Sequence, residues 1–354
     1  MCGNGMNGEN TSQKNYEILI SRQQLASWVE GLRENFQLIG PVGVKDEAEF
    51  REVFSFDEIN PGYRSTMLPP GKTFLLKPEE EILSFDITPE GPVAKEPPLP
   101  HQKRVLFGVH ACDTHAILYL DKVFLGAFPD PLYRARRENT LIISLNCRAV
   151  TEFCFCHLVG AGPFLKAQSG YDVLLTDMDG EFLVELKSER ARKLFRIEGR
   201  PPEEKDWKRK EEMELELLKS FSKDFRADGL REVFLSRPDH PALRETAEGR
   251  CLSCANCVMV CPTCFCHDIY DETRVSRTGI KRMRRWDACQ DYSFARVHGG
   301  NFRQERQARL RQFVFHKLDY EGQFGVKGTV GCGRCIRWCP TGIDLTEIAK
   351  EMMK

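Results

Sequence analysis

One stretch of this 354-residue chain restricts its fold more than any other: Cys251-x2-Cys254-x2-Cys257-x3-Cys261-Pro262. Four thiols within 11 residues do not suit a zinc site, whose cysteine pairs are usually separated by a longer spacer. The spacing is instead that of the bacterial run in which three cysteines wrap one face of a cubane iron–sulfur cluster and the fourth turns away to a second cluster. The proline after it directs the chain out of the loop. Such a segment folds around an inorganic core, not around apolar side chains alone.

A partner for the second cluster lies near the C-terminus, in Cys332-Gly-Arg-Cys335-Ile-Arg-Trp-Cys339-Pro340. This run is one thiol short, because a full copy would place a cysteine where Thr329 stands. The crossover rule gives Cys251, Cys254, Cys257 and Cys339 to one [4Fe-4S] cluster. The other receives Cys261, Cys332 and Cys335, and needs an eighth thiolate or a different fourth ligand. Cys289, in Arg285-Trp-Asp-Ala-Cys289-Gln on an expected helix between the two runs, is the favoured candidate. Cys264 and Cys266 compete, but each follows Cys261 so closely that little chain is left to reach the far side of a second cube.

The chain has 15 cysteines, an odd number, with no apolar N-terminal segment to suggest export. A disulfide framework therefore fits poorly, since a chain of this length can build its own core. Hydrophobic residues at 41% and charged residues at 29% are ordinary for a globular protein, and two domains are expected. The net charge of −1 offers no global field for nucleic acid or an anionic membrane. Apolar runs are far too short to span a bilayer, so a cytoplasmic location is expected.

Four regions are expected. Residues 1–13 read as a disordered tail in which Cys2 is a free thiol. Residues 14–195 read as an α/β domain. Its first helix is announced by a Ser21/Gln24 capping box and by Leu25, Trp28, Val29, Leu32 and Phe36 at helical spacing. A turn-rich stretch follows, with a short strand expected over residues 72–76. Arg104–Val109, a helix capped by Asp113, and Thr140–Leu145 then form a βαβ pattern, with further strands at Val173–Leu175 and Phe182–Leu186. Residues 196–245 read as a helical connector with Met213, Leu217, Leu218, Phe221 and Phe225 on one side. Residues 246–354 show little strand signal and read as a mostly helical, ferredoxin-like dicluster domain.

The segments GRCLSCANCVMVCPTCFCHD, RRWDACQDYSFARVHGGNFR and GTVGCGRCIRWCPTGID resemble the dicluster domain of cytoplasmic sulfhydrogenase beta subunits and of the corresponding iron–sulfur subunit of anaerobic sulfite reductase. PPGKTFLL, VLFGVHACDTHAI, YRARRENTLIISLNC and EFCFCHLVGAGP resemble the N-terminal half of the same proteins, so the resemblance spans most of residues 20–350. It implies an electron-transfer subunit that works beside a flavin subunit handling NAD(P)H and a separate catalytic subunit, such as a hydrogenase or sulfite reductase.

Cys112, Cys147, Cys154 and Cys156 suggest a third [4Fe-4S] site. Cys112 follows one expected strand and Cys147 the next, and parallel strands end on one edge of a sheet, where ligands bind. The Cys154-Phe-Cys156 pair is close enough to fold over that edge; plain buried cysteines are the alternative. A sulfur- or polysulfide-reducing site at these residues is a rival function.

Other signals carry less. Gly71-Lys72-Thr73 lacks the earlier glycine of a phosphate loop, Thr66 standing there. No Gly-x-Gly-x-x-Gly run joins an expected strand to a helix, which places any flavin or nicotinamide on a partner. His110, His115, His298 and His316 lack ligand-like spacing. Residues 274–317 carry 12 Lys/Arg against 3 Asp/Glu. A nucleic-acid-binding or regulatory role is one reading of them; offsetting anionic clusters, or docking an acidic redox partner, is the simpler one. Trp286 and Trp338 beside the cysteine loops are expected to shield them from water.

Overall fold

The computed structural model describes residues 16–43, 46–226, 228–273, 279–319 and 321–354. The expected tail at 1–13, with Cys2, lies outside them. The strands are β1 (Tyr16–Ser21), β2 (Gln37–Val42), β3 (Glu47–Glu52), β4 (Ser65–Thr66), β5 (Glu79–Thr88), β6 (Gly91–Lys95), β7 (Arg104–His110), β8 (Thr140–Leu145), β9 (Val173–Asp177), β10 (Glu181–Leu186), β11 (His267–Thr273), β12 (Gly279–Trp286), β13 (Arg296–Val297) and β14 (Gly300–Asn301).

Eight of these form one mixed sheet in the order β1-β10-β9-β8-β7-β2-β3-β4. Its centre is parallel, β2 with β7, β7 with β8 and β8 with β9. Every residue of β8 is buried. That is why its sequence, TLIISL, is a nearly continuous apolar run without alternation: parallel strands are covered on both faces. One apolar core, containing Trp28, Phe56, Phe107, Ile143 and Val184, includes residues of helix Arg22–Leu32. The expected capping box at Ser21 is formed, and Leu25, Trp28, Val29 and Leu32 are buried. Another core, containing Leu106, Ile117, Leu120, Tyr133 and Ile142, includes residues of helices Ala111–Phe124 and Pro131–Glu138.

Three local expectations are corrected. Residues 72–76 are not a strand: Pro70–Leu75 is a short helix with proline at its first position, where the missing N–H costs nothing. Asp113 does not cap its helix, which begins at Ala111 after His110; it lies buried in the first turn and is paired with Arg334. The third concerns residues beyond 246, which are not free of strand. β11 and β12 form a hairpin whose second strand pairs with β5, giving the four-stranded sheet β11-β12-β5-β6.

That hairpin escapes a hydrophobicity reading because opposite charges, not apolar side chains, hold it across the strands. Arg282 faces Asp271, Arg285 faces Asp268, and Lys281 meets Glu81 of β5. Arg284 is buried with Glu80 of β5 at 2.5 Å and also bonds Asp130. The β12 part of the expected basic stretch is thus consumed by internal pairs.

The charged segment after residue 203 does form a helix, Glu204–Leu218. Met213 packs near Leu19, Met178 and Leu183, and Phe225 meets Phe155 edge to face at 5.7 Å. A further core brings Phe225, Phe234 and Leu243 together with Val258, Phe313, Val314 and Ile348 around the cysteine loops. Among the described residues, no helix is long and apolar enough to cross a membrane.

Candidate metal centres

The two cysteine runs fold against each other. Cys251, Cys254, Cys257 and Cys339, the set given by the crossover rule, line one cavity, with Cys335 also at its wall. Leu310, Phe313, Val314 and Ile348 close it with apolar surface. The loop bends tightly, Ser253 and Ala255 adopting left-handed φ of 51° and 64°. Burial, then the fields of Cys251, Cys261, Cys254 and Cys339, push the Cys257 thiol well up. Gln290 reaches the same cavity, 1% exposed, with neither amide atom hydrogen-bonded. Buried thiols in each other's field and an orphaned amide make a poor protein core. They suit a [4Fe-4S] core that accepts four thiolates and takes N–H donation to its sulfurs.

Cys261, Cys332 and Cys335 form the adjoining group, since Cys335 lies in the field of Cys332 and Cys261. Two lysines are buried beside it. Lys317 Nζ donates to Thr263 Oγ1 and Gly328 O, both at 2.9 Å, and feels Cys261 and Cys264. Lys72 lies 4.3 Å above the Trp286 ring, its pKa lowered by burial and partly restored by Cys264 and Cys261. Neither ammonium has a carboxylate in salt-bridge range among the described residues, and both lie in the field of the Cys261 and Cys264 thiols. Two buried cations without acidic partners fit an anionic thiolate-bound centre.

The candidates for the eighth thiolate fall into a chain of contacts. Cys264 lies against Cys261, and Cys266 lies against Cys289. Cys264 and Cys289 are buried, and Cys289 is also in the field of Cys257. Cys289 follows β12 in a loop, not on the expected helix.

The third set lies about the edge where β7 and β8 end. His110 ends β7 and pairs with Leu145, which ends β8, so Cys112 and Cys147 each lie two residues past the same edge. Cys156 lies in the fields of Cys147, Cys154 and Cys332, and Cys112 in those of Cys332 and Cys156; burial is the first cause of both raised thiols. The loop of Cys332 is wedged against this group. Phe155 N–H donates to Gly331 O at 2.8 Å, and a Cβ on Gly331 would lie 2.5 Å from Cys156 Cα. Gly331, at φ +64°, has to be glycine for that approach. Among the described residues, no three His, Cys, Asp or Glu side chains could hold a single metal ion. The fit of these groups therefore rests on shared cavity, burial and field.

The histidines stay outside these groups. His110 stacks on Tyr63 at 3.9 Å, its pKa lowered to about 3 by burial and by Arg334. His316 bonds Tyr119 at 3.1 Å, and His298 is exposed. Arg334, Lys72, Lys317 and Gln290 were invisible as site residues in the sequence. Their only signal is position, Arg334 between two cysteines and Gln290 after one.

Residues 250–343 match the 4Fe-4S dicluster domain family. Over its whole length the chain is similar to Sulfhydrogenase 2 subunit beta of Pyrococcus furiosus, 34% identical over 95% of this chain and 98% of the relative. This chain belongs to the sulfhydrogenase beta-subunit family. It is an iron–sulfur protein of the electron-transfer class, with a [4Fe-4S] dicluster domain and a mixed α/β fold. No solved structure matches it. Within the family's dicluster segment stand both cysteine runs, Cys289 and Gln290; the edge carrying Cys112, Cys147, Cys154 and Cys156 lies outside that segment.

Proposed function

We propose that this chain relays electrons through three [4Fe-4S] sites, in the cytoplasm, between a flavin subunit that reacts with NAD(P)H and a catalytic redox subunit. The observation that carries the reading is the contact of the Cys332 loop with the Cys154–Cys156 loop, which makes the α/β edge and the dicluster core neighbours. A relay needs its centres packed in series; a purely structural metal would not.

In this reading Cys251, Cys254, Cys257 and Cys339 hold one cluster, and Cys261, Cys332, Cys335 and Cys289 the second. Cys112, Cys147, Cys154 and Cys156 hold the third. Cys289 is favoured as the eighth ligand because Cys264 already touches Cys261, whereas thiolates on separate irons of a cubane stand apart. Bound clusters supply the redox couples; the chain positions them and sets their potentials. Lys317, Lys72 and Arg334 hold positive charge beside the thiolates, and Gln290 offers an N–H. The apolar side chains around the loops keep water out. The four regions 1–13, 14–195, 196–245 and 246–354 then divide as tail, α/β domain, connector and dicluster domain.

The test is turnover by the anaerobically purified chain, first by itself and then with its flavin subunit. By itself the chain, once reduced and freed of excess reductant, should pass its electrons to a viologen dye, yet the oxidised chain should leave NADH and NADPH untouched, gaining nucleotide oxidation when the flavin subunit is added. Nucleotide oxidation by the chain by itself refutes the relay.

A further inference from the structure

The first cluster cavity opens beside an exposed face. Cys254 is exposed, and its neighbour Leu252 is 62% exposed. Next to them the short β13–β14 hairpin presents Tyr292, Val297 and Phe302, the last 81% exposed. Two arginines of the helix Arg306–Leu318 hold the cysteine loop, and Arg309 also holds the segment that follows the hairpin. Arg306 donates to Cys251 O at 3.0 Å; Arg309 donates to Arg303 O at 3.0 Å and Gln304 O at 2.6 Å, and its guanidinium stands 5.6 Å from the Tyr292 ring. Arg309 also reaches Ser253 Oγ at 3.4 Å. The apolar side chains are thus held beside the thiol loop.

Residues 291–311 contain Arg296, Arg303, Arg306, Arg309 and Arg311 against Asp291 and Glu305; Arg309 is buried and Arg311 pairs with Asp239, which leaves Arg296, Arg303 and Arg306 to face outward. The arginines of β12 are consumed by pairing within the sheet; Arg296 and Val297 of the hairpin are exposed. An apolar centre with an excess of positive charge at its rim is the make-up of a protein interface, and the sign of that excess selects the partner. We propose that this face, Leu252, Tyr292, Arg296, Val297 and Phe302, docks an acidic redox protein and is where electrons cross between this chain and that partner. The proposal rests on the relay reading. In the crossing one electron leaves the reduced protein and reduces the partner's own centre, with no bond made or broken. A nucleic acid would be drawn by the same charge, but aliphatic Leu252 and Val297 beside an exposed cluster thiol favour a protein.

The test uses the anaerobic holoprotein, reduced, with an acidic ferredoxin as probe and basic cytochrome c as contrast. Phe302→Asp and Arg296→Glu should each lower kcat/KM for ferredoxin reduction about tenfold, and the wild-type rate should fall as salt rises. Iron content and viologen reduction should not change in either variant. Undiminished ferredoxin reduction in both variants overturns the proposal. So does a cytochrome c reaction that Arg296→Glu slows as much as it slows ferredoxin reduction, or single-stranded DNA binding that Phe302→Asp abolishes while ferredoxin reduction survives. Failure of the wild type to reduce the viologen would instead remove the relay reading, and the docking face with it.

Discussion

Arg334 and Asp113 form a buried, two-pronged ion pair, Nη1–Oδ1 at 2.8 Å and Nη2–Oδ2 at 2.7 Å, that joins the C-terminal cysteine run to the helix carrying Cys112. Arg334 completes its bonding with Thr66, to the carbonyl at 2.8 Å and the hydroxyl at 2.7 Å. Thus one guanidinium, sitting between Cys332 and Cys335, ties two groups of thiols that are 220 residues apart in sequence (332 − 112). Removing one partner leaves a buried charge alone, which costs about 3–5 kcal/mol. Arg334→Met should therefore lower anaerobic denaturant stability by about that amount. A loss below about 1 kcal/mol, the range of an exposed pair, would show that the pair is not structural.

Gln290 has an amide in a thiol-lined cavity and no protein partner. An N–H directed at cluster sulfur favours the more negative, reduced state and so raises the potential. A hydrogen bond with a net worth of about 0.5–1.5 kcal/mol corresponds to roughly 20–65 mV for a one-electron couple. Gln290→Leu should lower one midpoint by that much in a redox titration followed by electron paramagnetic resonance, leaving the others in place. Unshifted midpoints would mean that the amide faces away from the cluster.

The eighth thiolate is open to direct test. Cys289→Ala should lose or degrade one cluster while the signal of the Cys251 cluster persists. Cys264→Ala should keep the full iron content. The reverse pattern would transfer the role to Cys264, whose contact with Cys261 would then be the ligating arrangement.

The sequence announced what depends on spacing. The Cys251–Cys261 run, the truncated Cys332–Cys339 run and the apolar strands β7 and β8 were all legible, because local periodicity or fixed ligand spacing defines them. The edge holding Cys112 and Cys147 was legible because parallel strands with crossovers leave few alternatives. What escaped depends on partners distant in the chain. The β11–β12 hairpin reads as a polar coil until Asp268 and Asp271 are seen opposite Arg285 and Arg282. Asp113 reads as a helix cap until Arg334 arrives from the other end of the chain. Lys72 reads as part of a broken phosphate loop, whereas its ammonium is buried over Trp286 and bonds Val258 O at 3.4 Å.

The most direct test of the account is the metal content of the anaerobically purified chain. Three cubanes predict about 12 iron and about 12 acid-labile sulfide per chain. The Cys112→Ala/Cys147→Ala double variant should fall to about 8 of each and keep the dicluster signals. Wild type at about 8 would remove the α/β-edge cluster, and wild type holding zinc without labile sulfide would contradict the account as a whole.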